Sequence, residues 1–264
     1  MIPLSQPTKV LERNGNKASF EIAGLYPGYG VTIGNTLRRV LLSSLEGAAI
    51  TQVKIKGTDH EFSTMEGVME DVVTILLQLK QVRFRLHSDI PQKATLSVKG
   101  EKMVLASDFE LPSQVELVSV DAPIAQLTSK SSELEMEIQI EKGVGYVPVG
   151  ENKKEKQEIG IIALDAIFTP IKRVSTKVED MRVGDRTDFH RLLVEVETDG
   201  TITPEEAFYQ ATQILLQQFE VIMSGVKEKV KEAAAASTKE EKPKKKAAAK
   251  PVRSGKAAKN AAKK

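Results

Sequence analysis

The sequence contains no cysteine, which excludes disulfides and thiolate metal sites and suits a reducing compartment. Its three histidines, His60, His87 and His190, are scattered, with no helical His-x-x-x-His pair to hold a metal. There is no Gly-x-Ser-x-Gly elbow, no Asp-rich magnesium motif and no thiol nucleophile, so no convergent catalytic constellation is legible. No apolar run approaches the roughly 18 residues that a membrane span needs. Residues 1–7 lack the charged and apolar regions of a signal peptide. These absences point to a cytoplasmic protein with no metal or cofactor, no membrane contact and no catalytic residues of its own.

What is present is organised by charge and by periodicity. The net charge of +2 is uneven: residues 239–264 hold ten Lys and Arg253 against Glu240 and Glu241, a net +9, which leaves −7 on residues 1–238. That Lys/Ala-rich end has almost no apolar content and contains Pro243 and Pro251, so residues 237–264 are expected to be a disordered basic tail. It offers weak, salt-sensitive contact with DNA or RNA phosphates, but lacks aromatics to stack on bases. A solvated, solubilising tail is the plain alternative.

The stretch 26–45 sets the frame. Pro27, Gly28 and Gly30 signal a turn, and a helix is expected from about Gly34, with Asn35 or Thr36 capping its first amides. At 100° per residue, Ile33, Leu37, Val40, Leu41 and Leu45 share one face that must pack on something. Asn35, Arg38, Arg39, Ser43 and Glu46 lie opposite, with Leu42 set among them. Either Leu42 is a stray surface residue, or it is the apolar anchor of an Arg-rimmed contact patch. The glycines at 28, 30 and 34 do not match the dinucleotide fingerprint, and no Gly-Lys-Ser/Thr follows for a phosphate loop.

Around that stretch the chain alternates between strand and helix patterns. Strands on either side of Asn14-Gly15 read as a hairpin, and residues 49–56 read as a strand. Ser63 and Glu66 suggest a capping box for a second helix, in which Met65, Val68, Met69, Val72, Ile75, Leu76 and Leu79 repeat at three- and four-residue spacing as core. From about 82 to 140, short alternating runs between Pro, Gly and Asp predict an antiparallel module with one wet face. Residues 150–158 read as a polar loop tip, and residues 159–168 return to the core. Two more strands precede Asp199-Gly200. Thr203, Pro204 and Glu206 then mark a strong helix start. That helix is expected to run to about Ala236 with a narrow seam of Phe208, Thr212, Leu215, Phe219, Ile222, Val226 and Val230. The seam fits either helix-to-helix dimer contact or packing on the chain's own sheet.

Four ordered motifs carry a family resemblance over about residues 2–230. They are Gly30-x-Thr-Ile-Gly-Asn-x-Leu-Arg-Arg-x-Leu-Leu-Ser-Ser, then His60-Glu-Phe-Ser-Thr-Met-Glu-Gly-Val with Glu70-Asp71, then Gly145-Tyr-Val-Pro, and Arg186-Thr-Asp with Glu197-Thr-Asp-Gly-Thr and Pro204-Glu-Glu-Ala. Together they resemble the alpha subunit of bacterial DNA-dependent RNA polymerase. The resemblance implies an α+β fold with a discontinuous dimerisation domain, a sheet with two main helices formed by residues 1–46 and 170–236, and an inserted, mainly β domain at 47–169. It implies a homodimer that scaffolds assembly of the beta and beta-prime subunits and leaves nucleotidyl transfer to them.

By the same resemblance, Asn35, Arg38, Arg39, Leu42, His60 and Glu61 contact beta. Lys80 and Leu164 contact beta-prime, although Lys80 also suits a helix C-terminus and Leu164 a core. Leu37, Leu41, Leu45, Phe208, Leu215, Phe219, Ile222 and Val226 are expected at the dimer interface. The family's helical C-terminal DNA-contacting domain is expected to be missing, because only the basic tail follows the last helix. The reading outside this family is a stand-alone, basic-tailed nucleic-acid-binding dimer, which would bind DNA without large partners.

Overall fold

A computed structural model describes residues 2–58, 60–152 and 160–240, and the side chains of residues 2–58, 60–150 and 160–227. In chain order, a hairpin of β1 (Lys9–Asn14) and β2 (Lys17–Leu25) leads to α1 (Tyr29–Ser43). Next come β3 (Glu46–Ile55), α2 (Val72–Leu79), β4 (Phe84–Leu86), β5 (Gln92–Lys99) and β6 (Met103–Leu105). They are followed by β7 (Phe109–Glu110), β8 (Val115–Leu117), β9 (Pro123–Gln126), β10 (Glu133–Val144) and β11 (Tyr146–Val147). A one-turn α3 (Val149–Asn152), β12 (Ile161–Ala163) and β13 (Ala166–Ile167) precede the long pair β14 (Ile171–Val183) and β15 (Arg186–Thr198). The last described element is α4 (Pro204–Glu240).

The strands form two main sheets. The smaller has the order β1-β2-β15-β14 and joins the start of the chain to residues 171–198. The larger runs β7-β5-β10-β3-β4-β8, with β12 also paired to β3. Each has its own apolar cluster. Phe20, Leu37, Leu41, Leu45, Leu192, Val194 and Val196 sit under α1 and the first turns of α4. Val53, Ile75, Leu79, Phe84, Leu96, Ile138 and Ile140 fill the larger sheet's core, which α2 covers. This is the α+β, strand-rich architecture that the alternating patterns predict.

The sheets meet where β3 and β10 leave the junction. Gly47 and Gly143 are direct cross-strand partners there, and both lie against Phe168. A Cβ on Gly47 would stand 1.9 Å from the Phe168 carbonyl oxygen, and one on Gly143 would stand 2.7 Å from the Phe168 ring. Glycine at these two positions lets the return segment cross the sheet.

Three local boundaries differ from expectation. Helix α1 starts at Tyr29, with Gly28 as its left-handed N-cap (φ 88°) and no side-chain cap. The Pro27-Gly28 turn launches it directly, and Thr32 and Thr36 donate back to the Gly28 and Thr32 carbonyls instead of capping. Helix α2 starts only at Val72, where Asp71 Oδ1 accepts from Thr74 N at 2.9 Å. The Ser63–Glu66 box does not form, because the Ser63 hydroxyl donates to the His60 carbonyl and Gly67 adopts φ 76°. Beyond that point the chain is not helical: Val68 bridges Leu127, and Met69 N donates to Gln126 O. Met65 and Val68 still pack on the larger core, but Met69 is exposed.

The third boundary is the end of α4, which continues through Ser237–Glu240 rather than stopping near Ala236. The remainder of the expected tail, residues 241–264, and most of the expected loop tip at 150–158 lie outside the described residues. The start of α4 is as expected, with Thr203 Oγ1 accepting from Glu206 N at 3.2 Å. Thr203→Ala should therefore lower stability by about 1 kcal/mol, read as a drop in the thermal unfolding midpoint. An unchanged midpoint would show that Glu205 and Glu206 suffice at that terminus.

The chain divides into two compact parts, Met1–Gln217 and Gln218–Lys264. The described portion of the second part is the continuation of α4. No described helix is long and apolar enough to cross a membrane.

Candidate assembly surfaces

Helix α1 is held from below and behind. Its inner face carries Gly30, Gly34, Leu37 and Leu41, all buried. A Cβ on Gly30 would stand 2.9 Å from His190 and Val178, and one on Gly34 would stand 2.9 Å from Leu192. The two glycines thus let the helix settle closely on β14 and β15. The turn before it is braced by Arg186, which donates twice to Asp188 (3.0 and 2.6 Å) and lies over the rings of Tyr26 and Phe189 at 5.5 and 5.3 Å. Asp188 first, and Tyr26 after it, raise the guanidinium pKa above its ordinary value. Arg186, a motif residue with no role assigned from sequence, is therefore a brace for the turn that feeds α1.

The outer face of α1 presents Asn35, Arg38, Arg39 and Leu42 together, all exposed, at i, i+3, i+4 and i+7. Leu42 retains 37% of its accessible surface. Among the described residues, neither the Arg38 nor the Arg39 guanidinium has a hydrogen-bond or ion-pair partner. An apolar side chain between two uncommitted guanidinium groups has the composition of a protein-binding hot spot.

His60 and Glu61 are also exposed, but on the larger-sheet side, in the loop between β3 and α2. No hydrogen bond or ion pair joins them to α1 among the described residues. Beside them Phe62 is strongly exposed. The sequence points to His60 and Glu61 at this surface without singling out Phe62. An aromatic in a polar run was the available signal.

Lys80 and Leu164 come from distant segments that the fold brings together. Lys80 caps α2, and its Nζ donates to Asp165 Oδ2 at 2.9 Å. Asp165 Oδ1 accepts from Val149 N at 3.0 Å. Lys80 first, then the Val149 amide, hold the Asp165 carboxyl below its ordinary range. Leu164 itself is only 4% exposed and belongs to the larger core, because the β12–β13 return lays it inward. It offers no surface in this state. The accessible feature is the half-exposed Lys80–Asp165 pair, and Asp165 was missed. A single carboxylate in an otherwise apolar run needs a cation, which was the signal for it.

The expected dimer residues fall into two groups. Leu37, Leu41 and Leu45 are buried in the smaller sheet's own core, so as interface residues they are corrected to core residues. Their face of α1 is spent on β14 and β15. Phe208 stacks on Phe20 (centroids 4.5 Å, 20° between planes), and Leu215 is partly buried in the same cluster. Beyond residue 217, Phe219, Ile222, Met223 and Val226 are all exposed at three- and four-residue spacing. Among the described residues, these four form an unpartnered apolar stripe. Among the described residues, no group of His, Cys, Asp or Glu is placed to hold a metal ion.

Residues 53–169 match the family described as RNA polymerase Rpb3/RpoA insert domain. Curated relatives called DNA-directed RNA polymerase subunit alpha align over most of the chain. The relative from Symbiobacterium thermophilum is 45% identical over 227 residues, 85% of this chain and 72% of its own length. That from Roseiflexus castenholzii is 45% identical over 84% of this chain and 68% of its own. That from Oceanobacillus iheyensis is 42% identical over 91% and 77%.

Proposed function

This chain belongs to the alpha-subunit family of DNA-directed RNA polymerase, and we propose that it acts within that enzyme as a non-catalytic assembly scaffold. Two copies pair, and the pair gathers the beta and beta-prime subunits. The observation that carries this reading is the outer face of α1, where exposed Leu42 lies between the uncommitted Arg38 and Arg39. Guanidinium groups held ready for carboxylates around an apolar anchor suit capture of a large protein partner. We assign Asn35, Arg38, Arg39 and Leu42 to beta, with His60, Glu61 and Phe62 extending that surface from the larger sheet. Lys80 and Asp165 are assigned to beta-prime.

The smaller sheet with α1 and α4, residues 1–46 and 170–236, serves as the dimerisation domain, and residues 47–169 serve as the inserted domain. The separate apolar clusters of the two sheets support this division. Within the dimerisation domain the contact is assigned to Phe219, Ile222, Met223 and Val226, whose exposed stripe needs a partner in water.

The decisive substitution is Arg39→Ala. It should leave circular dichroism and dimer mass unchanged, because the exposed Arg39 guanidinium has no hydrogen-bond or ion-pair partner among the described residues. Capture of beta in co-purification should fall by on the order of tenfold to a hundredfold, as for loss of an interface arginine anchor worth about 2 kcal/mol. Unfolding of the variant would make Arg39 structural, and undiminished capture would remove α1 from the beta surface.

A further inference from the structure

The two sheets enclose a crevice of about 470 Å³ that reaches from the β1–β2 turn to the start of α4. Next to its lining residues Phe84 and Gly200, a charged contact crosses from one sheet's module to the other. Asp199 follows β15, and its side chain is only 4% exposed. Its Oδ1 accepts from Thr201 N at 3.0 Å and Thr201 Oγ1 at 2.6 Å. Its Oδ2 lies 3.4 Å from Nε of Arg83, which belongs to the larger-sheet module. Arg83 Nη1 donates at 3.2 Å to the carbonyl of Ile167, in the segment returning to the smaller sheet.

Two residues on, within β4, Arg85 reaches the same turn. Its Nε donates to the Thr201 carbonyl at 2.9 Å and its Nη2 donates to the same oxygen, while Nη1 is tied to Glu116 at 2.9 Å. The turn has little room to move: a Cβ on Gly200 would stand 3.0 Å from Asn16 and 3.4 Å from Val118. A carboxylate as buried as Asp199 is tolerated only while a cation and hydrogen-bond donors face it. The Thr201 donors lie in the same turn, but the Arg83 cation faces Asp199 only when the two sheets stand at one angle.

We propose that Arg83, Arg85 and Asp199 form a clamp that fixes the angle between the two sheet modules and sets the launch of α4 through Thr201. They are positioning residues for assembly. This inference rests on the scaffold reading in one respect: a rigid large subunit that touches both α1 and the loop after β3 requires those two surfaces at a fixed spacing.

The absence of cysteine from the chain makes a direct test available. Glu12→Cys on β1 and Ser97→Cys on β5, both exposed, give one spin label on each module. The labelled full-length chain is mixed with excess unlabelled chain, so that labelled copies pair with unlabelled ones. The parent should give one narrow inter-label distance. Asp199→Asn, and independently the more exposed Arg85→Gln, should broaden that distribution while secondary structure and dimer mass stay unchanged. Capture of beta should then fall by on the order of tenfold. If Asp199→Asn does not fold, Arg85→Gln decides alone. A distribution as narrow as the parent's in the folded variants overturns the clamp, and broadening with undiminished capture overturns its role in assembly. Failure of the unsubstituted chain to capture beta would count against the scaffold reading, while the distance measurement still decides the clamp.

Discussion

Gly47→Ala should destabilise the chain by about 3 kcal/mol or more, at or beyond the upper end of what overpacking usually costs. The added methyl would stand 1.9 Å from the Phe168 carbonyl oxygen. That atom is backbone, so no rotamer change relieves the clash. The Thr169 amide, in the same peptide plane as that carbonyl, donates to Gly145 O at 3.2 Å, which keeps the carbonyl from swinging away. The partner substitution Gly143→Ala behaves differently, because its methyl meets the Phe168 ring. Phe168→Leu should therefore restore part of the loss caused by Gly143→Ala and none of that caused by Gly47→Ala. Denaturant unfolding of the four variants checks this. A Gly47→Ala midpoint equal to the parent's, or equal rescue of both glycine variants by Phe168→Leu, would refute the steric account.

The second large effect is on association. Phe219→Asp combined with Ile222→Asp should convert the proposed homodimer to monomer at micromolar concentration. The two side chains are 60% and 62% exposed within the chain, so a charge there meets no intramolecular obstacle and the fold should persist. Two-fold symmetry counts each substitution twice. Four apolar side chains at roughly 1.5 kcal/mol each amount to about 6 kcal/mol, on the order of a ten-thousandfold rise in dissociation constant. Sedimentation equilibrium distinguishes the outcomes. A substituted chain that still sediments as a dimer would place the interface elsewhere, and a monomeric parent would remove the homodimer altogether.

What could be read from sequence was what local chemistry decides. The Thr203–Glu206 start of α4, the hairpin around Gly15 and the alternating strands follow from residue type and spacing alone, and the structure places them as expected. What could not be read depended on contacts between distant segments. The periodicity from Met65 to Leu79 resembles one helix, but Met69 N bonds to Gln126 and Val68 bridges Leu127, so tertiary pairing overrides the pattern in its first half. The apolar face of α1 was legible, yet whether Leu37, Leu41 and Leu45 meet a second copy or the chain's own sheet is not encoded in periodicity. Gly30 and Gly34 settle it by drawing the helix onto β14 and β15. The partners of Lys80 and Arg83, Asp165 and Asp199, lie 85 and 116 residues away, beyond the reach of any local rule.

The smaller sheet pairs the first strands of the chain with the last: Phe20 stands opposite Val194 and Ile22 opposite Leu192. A ribosome adding about 5–20 residues per second therefore releases β2 and α1 roughly ten to thirty seconds before β15 exists to receive them. During that interval the apolar face of α1 has no sheet to cover, while the larger sheet's strands, which lie between these segments in the chain, can already close. The smaller sheet is completed only when residue 198 has emerged, and its core only when the first turns of α4, which carry Ala207 and Ala211, have followed. A chain cut short before β15 consequently cannot build the platform on which α4 rests.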